Sequence, residues 1–170
     1  MTRGLLATIC SALLLAAFAT EWIGIHALFG AFLLGAVLPH DSGLARDLRA
    51  KCEDLVLVLL LPVFFAFTGL RTQIGLIGSG RDWLVCVAII VVASQGKFGG
   101  SFAAARMAGV EWREAASVGV LMNTRGLMEL IVLNVGLDLG VLSPRLFAMF
   151  VVMALVTTLA TSPVLEALQR

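Results

Sequence analysis

Lys97 and Arg125 each stand deep inside a long apolar stretch, where placing a positive charge in hydrocarbon costs at least about 2.5–3.5 kcal/mol and the side chain therefore faces a protein interior or a water-filled cavity. Such residues can hold, exchange or repel an ion. Glu129 follows Arg125 by four residues, so the two share a helix face and can pair. No carboxylate stands at the depth of Lys97, because Asp138 falls near the end of its stretch and Asp82 before the start of its own. Either burial leaves Lys97 neutral or its anion comes from elsewhere. The plainer reading is that Arg125 and Glu129 only fasten a helix and that Lys97 reaches back to the surface.

The neighbours of these residues favour a site. Gly96, Gly99 and Gly100 flank Lys97, and removing side-chain bulk there predicts a tight crossing with another helix. Around Arg125, Asn123, Thr124 and Gly126 interrupt the apolar run with polar groups and a glycine, the composition of a discontinuous helix whose released carbonyls can coordinate a cation. Asn134, further along, can hydrogen-bond to another helix. Thr157, Thr158, Thr161 and Ser162 are expected to bond back onto their own helix. His26 reads as a hydrogen-bonded residue at a helix entry, and Cys10, Cys52 and Cys86 as space-filling.

The elements that position these residues are set by hydropathy. The chain has 170 residues, 60% of them hydrophobic, well above a soluble domain, and its mean hydropathy is +1.02. The apolar residues gather into runs of roughly 20, the length of a helical span. Six spans are predicted, at 5–18, 22–38, 55–70, 83–107, 115–139 and 146–168, in an all-α membrane protein with the fifth span discontinuous. The third is preceded by an amphipathic stretch, 44–54, suited to the interface, and Pro62 should kink it. Arg3, Arg46, Arg49, Lys51, Arg106, Arg113 and Arg170 fall on the side of the two termini, against Arg71, Arg81 and Arg145 on the other, so both termini are expected in the cytoplasm. Lys97 lies ten residues before the cytoplasmic end of the fourth span and Arg125 ten after the cytoplasmic start of the fifth, which puts both about 15 Å deep, near the midplane.

A net charge of +1 gives no nucleic-acid surface, and two histidines and three cysteines are too scattered for a metal site or disulfide framework. No nucleophile–base pair or phosphate-binding glycine loop points to an enzyme or to a cofactor. The first stretch, ending in Ala17-Phe18-Ala19, has two readings, a first span or a cleavable signal peptide. The early start of the next apolar stretch at Trp22 favours the span.

The strings GIHALFGAFLLG at 24–35, LPVFFAFTGLR at 61–71 and NTRGLMEL at 123–130, the last continuing into VGLDLG at 135–140, resemble the monovalent cation:proton antiporter family 2, most closely the plant-type cation/proton exchangers and their bacterial relatives. That resemblance implies two inverted repeats whose discontinuous helices cross near the midplane, with a core domain moving against a dimerisation domain. It assigns 1–80 to the dimerisation side and 81–170 to the core, and makes the chain the C-terminal part of an exchanger of Na⁺ or K⁺ for protons. Lys97 matches the basic residue that neighbours the family's ion-binding Asp, and that Asp belongs to a first half not represented here. The partners implied are the cation, H⁺, the bilayer, and either a second copy or a complementary N-terminal half. The other reading is a non-transporting membrane subunit or remnant that associates with full-length antiporters.

Overall fold

The computed structural model describes residues 2–39 and 42–169, so Arg170, one of the orienting charges, lies outside them. Among the described residues the regular structure is helical. Five helical stretches are long and apolar enough to cross a membrane, namely Gly4–Trp22, Gly43–Leu76, Gly80–Met107, Trp112–Asp138 and Pro144–Leu168, with a shorter apolar helix, Ala27–Val37, after the first. The chain divides into two compact units, Met1–Phe67 and Thr68–Arg170.

In the first unit, α1 (Arg3–Trp22) and α2 (Ala27–Val37) form a helical hairpin. The turn needs Gly24, whose φ of +88° is left-handed. His26 then caps α2, its Nδ1 accepting from the Leu28 N–H at 3.3 Å, and Glu21 Oε2 accepts from the Ala27 N–H at 2.9 Å. His26 is thus a capping residue, as its position suggested. These caps start α2 five residues later than the predicted span at 22–38. The two helices approach most closely at Gly30, where a Cβ would stand 2.2 Å from the Ala16 carbonyl oxygen.

Next comes α3 (Gly43–Leu55), opened by Ser42, whose Oγ accepts from the Ala45 N–H at 3.1 Å. It runs without interruption through a π-helical turn, Val56–Leu60, into α4 (Leu61–Arg71). The wide turn has a local cause. Pro62 has no N–H to offer and its ring crowds the carbonyl four residues back, and the helix answers by bonding the Leu61 N–H to the Val56 carbonyl, five residues back. The expected effect of Pro62 takes the form of this π turn.

The second unit is built around α9 (Pro144–Gln169), whose Phe147, Ala148, Met149 and Met153 are buried. Against it pack α5 (Gly80–Ser94), through Cys86, and the 3₁₀ turn Ile74–Leu76 with the adjoining Ile77. A second π turn, Gln95–Gly99, leads into α6 (Gly100–Met107), and α7 (Trp112–Asn123) and α8 (Leu127–Asp138) follow. Ser79 and Asp82 form a capping box at the start of α5, and Asp82 also pairs with Arg145 at 3.4 Å, joining the starts of α5 and α9. Arg71 pairs with Asp138 at the end of α8.

The approach at Gly30 sets a test. Gly30→Val should destabilise the α1–α2 hairpin by about 1–3 kcal/mol, whereas Gly35→Val, where a Cβ meets nothing within 4 Å, should be neutral. Denaturant unfolding in detergent, followed by the fluorescence of Trp22, compares the two. Equal midpoints would refute the close approach.

Candidate functional site

The fifth predicted span is interrupted where its composition suggested. After Asn123 the backbone turns extended at Thr124 (ψ 136°) and Gly126 (φ −118°, ψ −168°) before α8 begins. This stretch must bond its N–H and C=O groups without a helical ladder, and in hydrocarbon each unsatisfied group costs several kcal/mol. Thr124 N–H donates to the Leu121 carbonyl at 3.1 Å, and Glu129 N–H to that of Gly126 at 3.2 Å. Arg125 is satisfied from α9. The Thr158 hydroxyl accepts from the Arg125 N–H at 3.2 Å and donates to the Arg125 carbonyl at 2.9 Å. Thr124 Oγ1 and Thr161 Oγ1 meet at 3.0 Å.

The charges sit on this frame. Arg125 Nη1 and Glu129 Oε1 are 2.6 Å apart, with side-chain exposures of 9% and 21%, so the pair is shielded from solvent. The pair also suits the helix ends. Glu129 lies in the first turn of α8, where the unpaired N–H groups favour an anion, and Arg125 follows the C-terminus of α7, which favours a cation. Arg125 Nε is buried without a partner. Lys97 joins them across a groove of about 460 Å³ lined by Lys97, Arg125, Glu129 and apolar residues such as Met128, Val132 and Phe150. Two cations and one carboxylate therefore share one groove, and the carboxylate is already committed to Arg125. No carboxylate among the described residues pairs with Lys97.

Lys97 stands in the π turn Gln95–Gly99, which the sequence reading did not foresee. Among the described residues the glycines that suggested a tight crossing do not make one, since a Cβ at Gly96, Gly99 or Gly100 would meet none of them within 4 Å. Instead their poor helix propensity loosens the turn, and the close approach is made from the other helix, at Gly119 of α7. A Cβ there would stand 2.9 Å from the Phe98 ring and 3.1 Å from the Phe98 carbonyl. Phe98, next to Lys97, is thus the knob and Gly119 the hole.

A second hollow, about 260 Å³, also touches α5, the π turn and α9 but is lined by α7 rather than α8 and shares no residue with the groove. Ser94, Gln95, Asn123, Thr157 and Thr161 supply its polar lining. Asn123 opens on this side, its Nδ2 donating to Ser94 Oγ at 3.5 Å while Oδ1 is buried without a partner. Asn134 stands apart from the break, buried at 6% exposure, donating to Thr68 Oγ1 at 3.0 Å and accepting from Arg71 at 3.3 Å. It does reach another helix.

Of the α9 hydroxyls, Thr157 and Thr161 bond back to the Met153 and Thr157 carbonyls as expected. Thr158 does not, spanning to the break, and the Ser162 hydroxyl bonds to nothing among the described residues. The signal for Thr158 was present in the spacing of Thr158 and Thr161, one turn apart on a common face of an otherwise apolar helix, but spacing alone does not say which helix that face meets.

The fold and the site together define a multi-pass membrane protein with an ion pair set at a broken helix. Residues 4–167 match the family described as "Sodium/hydrogen exchanger, transmembrane", and the chain belongs to that family. It is 50% identical over 163 residues to the Na(+)/H(+) antiporter NhaS4 of Synechocystis sp., covering 96% of this chain and 40% of that protein. It is 46% identical over 157 residues to cation/H(+) antiporter 19 of Arabidopsis thaliana, covering 92% of this chain and 20% of that protein. Against the K(+)/H(+) antiporter 1 of Saccharomyces cerevisiae the identity is 39% over 163 residues, with 95% and 19% covered. The chain thus spans two fifths or less of the length of these relatives.

The shielded Arg125–Glu129 pair predicts a non-additive response. Glu129→Gln leaves a guanidinium with no anion and should cost about 2–3 kcal/mol, while the double replacement by leucines should cost less. The reporter is the reaction of buried Cys86 with a thiol dye during heating in detergent, corrected for Cys10 and Cys52. Additive losses would show that the pair contributes nothing to stability.

Proposed function

We propose that this chain carries the electropositive part of a cation/proton exchange site, with Lys97 as the counter-charge of an ion-binding carboxylate supplied from outside the chain. The observation that carries this reading is the shared groove of Lys97, Arg125 and Glu129, whose single carboxylate is occupied by Arg125. A net positive groove at a broken helix is a seat for an anionic group, and a carboxylate held there binds either a proton or a partly dehydrated Na⁺ or K⁺. Because the two ligands exclude one another, a conformational change that alternates the exposed side exchanges them. Lys97 pairs with the carboxylate when neither is bound and yields it to the arriving cation. Arg125 and Glu129 neutralise each other and hold the break, and Asn123, Thr124 and Gly126 shape it. In this reading both termini are cytoplasmic, 1–80 lies on the dimerisation side and 81–170 in the core, and the chain works as a homodimer or with a complementary N-terminal half.

A second reading is a membrane subunit or remnant that associates with full-length antiporters without transporting. Everted vesicles containing the chain, alone and with an N-terminal half of a relative, separate the two. The expected result is dissipation of a preset pH gradient when Na⁺ or K⁺ is added, reduced at least about tenfold by Lys97→Ala. Exchange that survives Lys97→Ala unchanged rules out the assigned role of Lys97. Absence of exchange in both settings supports the subunit reading.

A further inference from the structure

We propose that Thr158 is a positioning residue, the clamp on α9 that keeps the interrupted helix open and so fixes where Arg125 stands. The inference rests on the exchange reading for its functional consequence, but its geometry does not. Three residues, Thr124 to Gly126, leave the helical ladder, and the central one, Arg125, has both of its peptide groups bonded by one side chain from another helix. A hydroxyl suits this task because it has one hydrogen to give and lone pairs to receive. Thr158 gives its hydrogen to the Arg125 carbonyl at 2.9 Å and receives that of the Arg125 N–H at 3.2 Å. Neither of its neighbours on α9 does this. Thr157 bonds within its own helix, and Thr161 bonds back to the Thr157 carbonyl and meets only the side chain of Thr124 at the break.

Removing the clamp leaves an N–H and a C=O with two outlets, water in the adjoining hollow or closure of 124–126 into a continuous helix. Closure would rotate Arg125 and Glu129 relative to Lys97. Thr158 thus acts on the charged groove through the backbone of Arg125, touching none of the three charged side chains in the hydrogen bonds it makes. β-Branching also suits the position, since it limits the hydroxyl to few rotamers.

The test compares Thr158→Val, which keeps the shape and removes the hydroxyl, with Thr158→Ser, which keeps the hydroxyl. Thr158→Ala serves as a second variant should the valine crowd the helix. Amide hydrogen exchange of the chain in lipid nanodiscs is read by mass spectrometry on peptides covering 121–128 and, as an internal reference, 147–153 in the buried part of α9. Thr158→Val and Thr158→Ala should speed exchange at 124–127 by about tenfold, the size expected for losing one to two hydrogen bonds. The reference peptide should not move, and Thr158→Ser should match the parent. Unchanged exchange at 124–127 in the valine and alanine variants overturns the proposal. So does an equal rise in the reference peptide, which would make Thr158 a general packing residue, or a serine variant that behaves like the valine one. In the vesicle assay, Thr158→Val should lower cation-driven proton flux and Thr158→Ser restore it. If the parent shows no flux either alone or with the N-terminal half while the amide pattern is as expected, the exchange reading falls and the clamp stands; if the parent exchanges cations in either setting and Thr158→Val does so equally well, the positioning role falls and the exchange reading stands.

Discussion

The constraint behind this structure is that a backbone in hydrocarbon must satisfy its own hydrogen bonds. A continuous helix does so locally and needs no partner. An interrupted helix cannot, so the three non-helical residues between α7 and α8 depend on polar groups brought to them by another element. That element is α9, and its threonines are the cause of the break's persistence rather than incidental polar residues in an apolar helix. The burial pattern agrees, since Phe147, Ala148 and Met153 of α9 are nearly or wholly inaccessible and fix its position in the second unit.

The break creates the electrostatics in turn. Ending one helix and starting another in mid-span leaves the C-terminus of α7 and the N-terminus of α8 facing a few extended residues, so unpaired carbonyl and amide ends come close together. Arg125 and Glu129 are of the right sign for these ends and pair with each other at 2.6 Å. Lys97 reaches the same groove from a helix loosened into a π turn, a local geometry that often marks function. The two π turns have different origins. The one at Val56–Leu60 follows from a proline that withholds an N–H, and the one around Lys97 from glycines that give the helix little to hold its register.

Much of this could be read in the sequence, for reasons that are physical. Long apolar runs dictate helices, and a polar, glycine-containing string inside such a run has no reason to exist in hydrocarbon unless the helix stops there. Depth counting brought Lys97 and Arg125 together because the rise per residue of an α-helix is fixed. What resisted was everything that depends on which faces meet. Gly96, Gly99 and Gly100 looked like the floor of a crossing, yet the floor is Gly119, on the partner helix. Thr158 looked like its neighbours and differs from them only in the direction its hydroxyl points. The start of α2 was misjudged because the turn at Gly24 and the cap at His26 consume residues that hydropathy counted as span.

The same constraint limits how the groove can change. Arg125 cannot move away from α9 without freeing two peptide groups at once, and unless both find new partners that is a larger penalty than the loss of a surface contact. Lys97 has no such tether, since it projects from a loosened turn and pairs with no carboxylate among the described residues. Of the two cations facing the groove, one is fastened through its backbone and its side chain, and the other is not. In the exchange reading proposed above, a site that alternately attracts and releases an anionic group needs that asymmetry, because two fixed cations would hold the anion permanently and two mobile ones would not define a place for it.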